Sequence, residues 1–276
     1  MHRSFRQVDV FTEVPTKGNP VAVVHDADGL DDERMQVFAA WTNLSETTFL
    51  LPPRDAAADY RVRILTPDGE LPFAGHPTLG TAHAWLEAGG RPHGDEIVQE
   101  CGIGLVRLRR SGGRLAFAAP PSRQEELLPD VVGELAAALR IGPEQVLDAR
   151  SLANGPVWTV LLLDSATTVL QLQPDRSALR ELPLVGVVGE HVPGHECAIE
   201  VRAFADQLGI PEDPVTGSLN ASVAQWLTGT GRLPSSYVAA QGTCLGRLGR
   251  VHVDVADGDV WIGGGTHTVI DGEAEL

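Results

Sequence analysis

The chain has 276 residues, 43% of them hydrophobic, and a formal net charge of −16. That length allows one large domain or two of ordinary size, each with a real core. The acidic balance disfavours nucleic acid and anionic membrane surfaces as partners, because binding either needs a basic patch to neutralise phosphates.

No stretch approaches the roughly 18 apolar residues of a membrane span. The opening Met1-His-Arg-Ser-Phe-Arg6 lacks the apolar core of a signal peptide, so a cytoplasmic location is expected. Cys101, Cys197 and Cys244 are odd in number, widely spaced and outside any CxxC motif. Neither a zinc site nor a disulfide framework is expected of them; they read as small buried hydrophobes.

In chain order, residues 6–11 alternate as a strand, and Gly18-Asn-Pro-Val-Ala-Val-Val24 opens another after its turn. Asp31 to Trp41 has helical spacing, with Asp31 or Asp32 as cap and Met35, Val37, Phe38 and Trp41 able to share a face. A polar turn, Asn43-Leu-Ser-Glu46, leads into the apolar strand that contains Phe49-Leu-Leu51. Residues 60–66 read as a strand, and Pro77 to Leu86 as a helix with Pro77 in its first turn. Ile97 to Cys101, Gly104 to Arg109 and Arg114 to Ala118 read as consecutive antiparallel strands, the last two joined by a Ser111-Gly-Gly turn. Pro120-Pro121 marks a domain boundary. Val131 to Leu139 reads as a helix that stops at Gly142-Pro143. Gly155 to Leu163 is a strong buried strand, and strands at 199–204, 236–241, 250–255 and 259–263 complete the second set.

The chain also repeats itself. Tyr60-Arg-Val-Arg-Ile-Leu-Thr66 leads through a turn into Phe73-Ala-Gly-His-Pro-Thr-Leu-Gly-Thr-Ala-His-Ala-Trp-Leu86. Ile199-Glu-Val-Arg-Ala-Phe-Ala205 leads through another into Val215-Thr-Gly-Ser-Leu-Asn-Ala-Ser-Val-Ala-Gln-Trp-Leu227. Gly155 to Leu163 likewise matches Gly18 to Val24. Each copy reads as strand, polar glycine turn and helix. Two such helix starts offer free N–H groups and positive dipole ends suited to a small carboxylate.

Five segments in this order resemble the PhzF-like phenazine biosynthesis family: Val8-Asp-Val-Phe11 with Gly18-Asn-Pro-Val-Ala-Val-Val24; Asn43-Leu-Ser-Glu-Thr-Thr-Phe49; Gly75-His-Pro-Thr78; Glu212-Asp-Pro-Val-Thr-Gly-Ser218; and Gln241-Gly with Leu245-Gly-Arg247 and Val260-Trp-Ile-Gly-Gly264. The resemblance implies an α+β fold like that of diaminopimelate epimerase. It has two similar domains, each a curved, mostly antiparallel sheet around a central helix, with the active site in the cleft between them. The domains would be 1–118, completed by 266–276, and 119–265.

Epimerases of that fold carry a cysteine at the start of each central helix. This chain has Ala74 and Thr216 there, so the two-cysteine mechanism is not expected. The resemblance instead places the family's catalytic glutamate on Glu46 and its other active-site residues on His76, Asp213 and Ser218. It implies no metal or organic cofactor, and a homodimer like the founding member, which moves a proton across the ring of a dihydro-hydroxyanthranilate.

Read as chemistry, a proton shift between two carbons needs a base that can become the acid. A carboxylate suits that role once burial raises its affinity for protons. Glu46, ahead of an apolar strand, is either that base or a surface turn or cap residue. His76, at a helix start, either orients the base or is a buried structural histidine. Asp213 either binds a substrate amine and assists proton transfer or makes an Asx turn. Ser218 either holds a carboxylate or is an N-cap. Gly75 and Gly217 allow close approach of backbone N–H groups to an anion. Asn19 and Gln241 either brace the cleft or serve turns. His191-Val-Pro-Gly-His195 reads as an exposed loop, since its proline and glycine forbid a helical pair of ligands.

The expected activity is a cofactor-independent isomerase acting on a small amino- or keto-carboxylate in secondary metabolism. An epimerase, racemase or lyase on the same fold, or a non-catalytic binding protein, remains as the alternative.

Overall fold

The computed structural model describes residues 2–276. Backbone contacts divide the chain into two units, Met1–Ala118 with Gly263–Leu276, and Ala119–Ile262. The first contains strands β1 (His2–Val10), β2 (Asn19–Val24), β3 (Thr47–Leu51), β4 (Tyr60–Thr66), β5 (Gly69–Leu71), β6 (Ile97–Cys101), β7 (Gly104–Ser111) and β8 (Arg114–Ala118), with helices α1 (Asp32–Thr42) and α2 (Gly75–Glu87). The second contains β9 (Arg123–Glu126), β10 (Val146–Ala153), β11 (Val157–Leu163), β12 (Leu184–Glu190), β13 (Ile199–Ala205), β14 (Ile210–Asp213), β15 (Ser236–Gln241), β16 (Gly249–Ala256) and β17 (Asp259–Gly264). Its helices are α3 (Pro129–Leu139), α4 (Ala166–Gln171), α5 (Arg176–Leu179) and α6 (Gly217–Gly229). The last strand, β18 (Thr266–Glu275), returns to the first unit and pairs antiparallel with β1 along its length.

The internal repeat extends to strand pairing. In the first unit β1–β2 is antiparallel, β2–β3 parallel, β3–β4 and β4–β5 antiparallel, β4–β6 parallel and β6–β7 antiparallel. The second unit runs through the same sequence: β10–β11 antiparallel, β11–β12 parallel, β12–β13 and β13–β14 antiparallel, β13–β15 parallel, β15–β16 antiparallel. Both parallel contacts in each unit are bridged by helices, as parallel pairing requires a crossover. Short turns account for the antiparallel pairs. Gly112 and Gly113, both at positive φ, close the β7–β8 hairpin, a conformation only glycine enters freely.

Central helices α2 and α6 carry more buried residues than any other element of their units, nine and ten respectively. Their small side chains permit this. A Cβ on Gly80 of α2 would stand 2.3 Å from Val21 Cγ1 of β2, so the helix lies closer to its sheet than any larger residue allows. In the second unit Leu219 of α6 reaches into the space left by Gly186 of β12, where a Cβ would meet its Cδ1 at 2.7 Å. Apolar strands supply the rest of each core, led by Tyr60, Phe49, Phe73 and Phe117 in one unit and Phe204, Trp158 and Trp226 in the other. Each such side chain contributes about 1.5–3 kcal/mol through burial.

Helix α1 is capped as its sequence suggests: the Asp31 carboxylate accepts from Arg34 N at 2.8 Å, and Asn43 ends the helix in the left-handed region. Its buried face is another matter. Met35 and Ala39 point into the core with Phe38 packed beside them, whereas Val37 is 63% and Trp41 78% exposed. Val37 lies two positions beyond Met35, about 200° round the helix, so the two cannot share a face. Val37 and Trp41 form a second stripe. Together with Phe5, Phe38, Ile270 and Leu276 they line an open groove.

The cysteines are not uniform either. Cys197 is buried, Cys101 is half-buried and Cys244 is exposed. Among the described residues no helix is long and apolar enough to cross a membrane. No group of three or more His, Cys, Asp or Glu side chains among them is placed to hold a metal ion.

Candidate active site

In the first unit the Gly-Asn-Pro turn builds the site from below. Asp9, buried on β1, accepts from Gly18 N at 3.0 Å and pins the turn. A Cβ on Gly18 would fall 2.1 Å from the Val10 carbonyl oxygen, so only glycine allows this approach. The turn delivers Asn19, fully buried at the start of β2, to the second residue of α2: Asn19 Nδ2 stands 3.3 Å from His76 Nδ1. The roles of the two nitrogens in this contact follow the ring tautomer.

Nε2 faces Glu46. The distance to Glu46 Oε2 is 3.2 Å, with the two side chains 5% and 14% exposed. Glu46 is fixed by its place just ahead of β3, where its carbonyl accepts from Ala22 N of β2. Burial pushes the His76 pKa down to about 3, against a smaller opposing effect from a hydrogen bond to the Pro20 backbone. The contact with Glu46 lacks the alignment of a hydrogen bond, so it does not offset that desolvation. His76 is therefore neutral at pH 7. It offers an N–H to its surroundings, not a titrating proton.

Gly75 and His76 form the first turn of α2, and the cap residue Ala74 supplies no side-chain hydrogen bond to it. The N-cap of α6 is Thr216, whose side chain does not close that helix either. Sequence comparison thus places Ala74 and Thr216 correctly at the two helix starts, with no thiol at either. Ser218 is the second residue of α6, so it is not the N-cap. Its hydroxyl accepts from Trp158 Nε1 at 3.2 Å and keeps its own proton to donate.

Around α6 the second unit repeats the bracing of the first. Asn154, just ahead of β11, donates to the Ser218 carbonyl at 3.0 Å, as Asn19 at the start of β2 reaches His76. Gln241 on β15 accepts from Asn220, the fourth residue of α6, at 2.8 Å. On β6, Gln99 donates to Thr78, the fourth residue of α2, at 3.0 Å, and itself accepts from Tyr60 OH. So each central helix start is held by one asparagine and one buried glutamine.

The carboxylates break this symmetry: the first unit has Glu46 ahead of β3, the second has Asp213 at the end of β14. The Thr216 hydroxyl, three residues on, donates to Asp213 Oδ2 at 2.5 Å.

Glu46, His76, Gly75 and Asn19 are thus gathered in the first unit, and Asp213, Gly217, Ser218 and Gln241 in the second. Sequence reasoning missed Gln99, Asn154 and Trp158. A signal for two of them was present, because Asn154-Gly-Pro-Val-Trp158 opens the strand that mirrors Gly18-Asn-Pro. Gln99 carries only the weak mark of an uncharged polar residue in an apolar strand. The His191–His195 segment departs from a plain exposed loop. His191 Nε2 lies 3.2 Å from the buried Glu200 carboxylate, and its ring stacks on His195 at 3.8 Å.

Two α+β units of common topology, each presenting an uncapped helix start beside a carboxylate, define a protein of the isomerase and epimerase kind. Comparison with known proteins gives the family. The model of phenazine biosynthesis-like proteins (PhzC/PhzF) matches residues 8–273, and the chain belongs to that family. It is 38% identical to the Schizosaccharomyces pombe protein called antisense-enhancing sequence 1, over 98% of each chain. It is 35% identical to the trans-2,3-dihydro-3-hydroxyanthranilate isomerase of Pseudomonas aeruginosa, over 91% of this chain and 90% of that one. Among solved structures, a predicted epimerase of Pseudomonas aeruginosa matches with a TM-score of 0.83 at 29% identity, covering 99% of both chains. The chain is an isomerase of this family.

Proposed function

We propose that the protein moves a proton between carbons of a small amino- or keto-carboxylate, with Glu46 as the base that accepts the proton and returns it. The observation that carries this reading is the pairing of Glu46 with a buried, neutral His76, at 3.2 Å between Oε2 and Nε2. A base that must become an acid is best kept from a permanent cationic partner, which would hold it ionised. His76 presents a neutral ring in place of a charge, and Asn19 stands against that ring.

The remaining roles follow from chemistry. In the first unit the first-turn N–H at Gly75, and in the second the first-turn N–H at Gly217 with the Ser218 hydroxyl, each suit an anionic substrate group. Asp213 suits a substrate amine or the second proton position. Ala74 and Thr216 at the helix starts favour this over a two-thiol racemisation, for which neither has the chemistry. Membership of the isomerase family supports the general class. The particular substrate, a role in secondary metabolism, a cytoplasmic location and a homodimer are part of the proposal.

The test is NMR of trans-2,3-dihydro-3-hydroxyanthranilate in deuterated buffer with wild-type protein and with Glu46→Gln. We expect isomerisation with deuterium at the new position for the wild type. For the variant we expect a loss of roughly 10²–10⁴-fold, the usual contribution of a general base, with circular dichroism unchanged. Full turnover by Glu46→Gln refutes the mechanism. No change of this compound with wild type refutes this substrate and moves the assay to other amino- and keto-acids.

A further inference from the structure

Gln241 is fully buried, and both ends of its amide are read by backbone groups that have no choice of role. Thr216 N–H donates to Oε1 at 3.0 Å. A backbone N–H cannot accept, so that end is the oxygen. Asn220 Nδ2 donates to the same oxygen at 2.8 Å, and it too is assigned by backbone, because it also donates to the Thr216 carbonyl at 2.9 Å. The other end of Gln241 is therefore nitrogen, and it donates to the Asp213 carbonyl at 3.1 Å, a group that can only accept. Its remaining N–H goes to Thr216 Oγ1 at 2.9 Å. All four hydrogen-bonding positions of the amide are used, and no flipped arrangement satisfies the backbone on both sides.

This fixes the next hydrogen. Thr216 Oγ1 receives a hydrogen bond from Gln241, so its own proton points at Asp213 Oδ2, 2.5 Å away. That distance belongs to a hydrogen bond on a charged acceptor. We propose that Gln241 is a positioning residue that sets the direction of a relay from Gln241 through Thr216 to Asp213, so that the Thr216 hydroxyl donates to Oδ2 and favours the ionised carboxylate. The proposal rests on the reading that Asp213 takes part in the reaction. It adds which groups orient that carboxylate and hydrogen-bond its charged form. It also gives the duplicated glutamine of the second unit a task that Gln99 cannot have, since no carboxylate is bonded to the Thr78 hydroxyl that Gln99 reaches.

The experiment is carbon-13 NMR titration of the full chain with aspartate labelled at the side-chain carboxyl, the Asp213 signal being assigned by its loss in Asp213→Asn. In Thr216→Val the midpoint rises by about one pH unit, a tenfold weaker acid, and Thr216→Ser returns it to the wild-type position. Gln241→Met also raises it, and adds nothing further in the Thr216→Val background, because its effect passes through the hydroxyl. An unmoved midpoint in Thr216→Val overturns the relay, as does an equal shift from Gln241→Met in both backgrounds. Should Gln241→Met fail to fold by near-ultraviolet circular dichroism, the Thr216→Val and Thr216→Ser pair decides. Turnover is a separate arm. Full activity in Asp213→Asn refutes the part given to Asp213 in the reaction and leaves the titration result standing.

Discussion

His76 makes the acid stability of this protein a measure of its site. The ring is buried and held neutral, with its pKa pushed down to about 3 by desolvation, whereas in the unfolded chain it titrates near 6.5. Below pH 6.5 the unfolded chain therefore binds a proton that the folded protein refuses. Stability contributed by neutral burial is fully present above pH 6.5 and is lost as pH falls toward 3. The slope is about 1.4 kcal/mol per pH unit, and over the whole window the loss reaches roughly 5 kcal/mol. The perturbation is His76→Asn, which keeps a polar group but removes the titration. The assay is urea unfolding of wild type and variant between pH 7 and pH 4.5, a window above the main carboxylate range. The stability of wild type relative to the variant should fall by about 2.3 kcal/mol between pH 6.5 and 4.5, since the unfolded ring is only half protonated at the start of that window. A difference that stays flat with pH refutes the claim that His76 is buried neutral, and with it the idea that Glu46 faces a neutral ring and not a cation. A ring nitrogen-15 spectrum that shows a neutral His76 imidazole at pH 5 checks the same point directly.

Two further outcomes test the packing that supports the site. Gly80→Ala should destabilise the protein by about 1–2 kcal/mol in chemical unfolding. The new methyl meets Val21 Cγ1 at 2.3 Å and Val10 Cγ2 at 3.2 Å, and the cost of overpacking outweighs alanine's helix preference. Glu212→Gln should cost about 3 kcal/mol in the same assay, because it leaves Arg202 buried without its bidentate partner at 2.8 and 3.0 Å. The remaining bonds of Arg202 to the Val169 and Leu172 carbonyls keep the loss at the low end of that range.

Most of this architecture was legible in local pattern. Period-two alternation and apolar runs marked twelve of the strands, and capping and glycine signals marked α1, α2, α3 and the β7–β8 turn. The repeat of strand, turn and helix marked α2 and α6 as counterparts. The segments that escaped notice were β5, β9, β10, β12, β14, β18, α4 and α5; β5, β9, β14, α4 and α5 are too short for a period to show, and β18 is largely exposed on both faces. The α1 face was misjudged because apolar identity was followed in place of angle: Val37 and Trp41 are hydrophobic but lie on the outer stripe.

The sequence by itself carried the candidate residue types and their places in the chain: a glutamate ahead of a core strand, a histidine and a serine at the starts of two related helices, an aspartate three residues before a threonine. The repeat of strand, turn and helix follows from local pattern, and the resemblance to the family's motifs singled these residues out within it. Only the tertiary structure decided what state they are in. That His76 is neutral depends on burial beneath β2 and on Asn19, 57 residues earlier in the chain. The direction of the Thr216 hydroxyl depends on Gln241, 25 residues later. Protonation and hydrogen-bond polarity are set by desolvation and by partners distant in sequence, and spacing along one strand or helix contains no record of them.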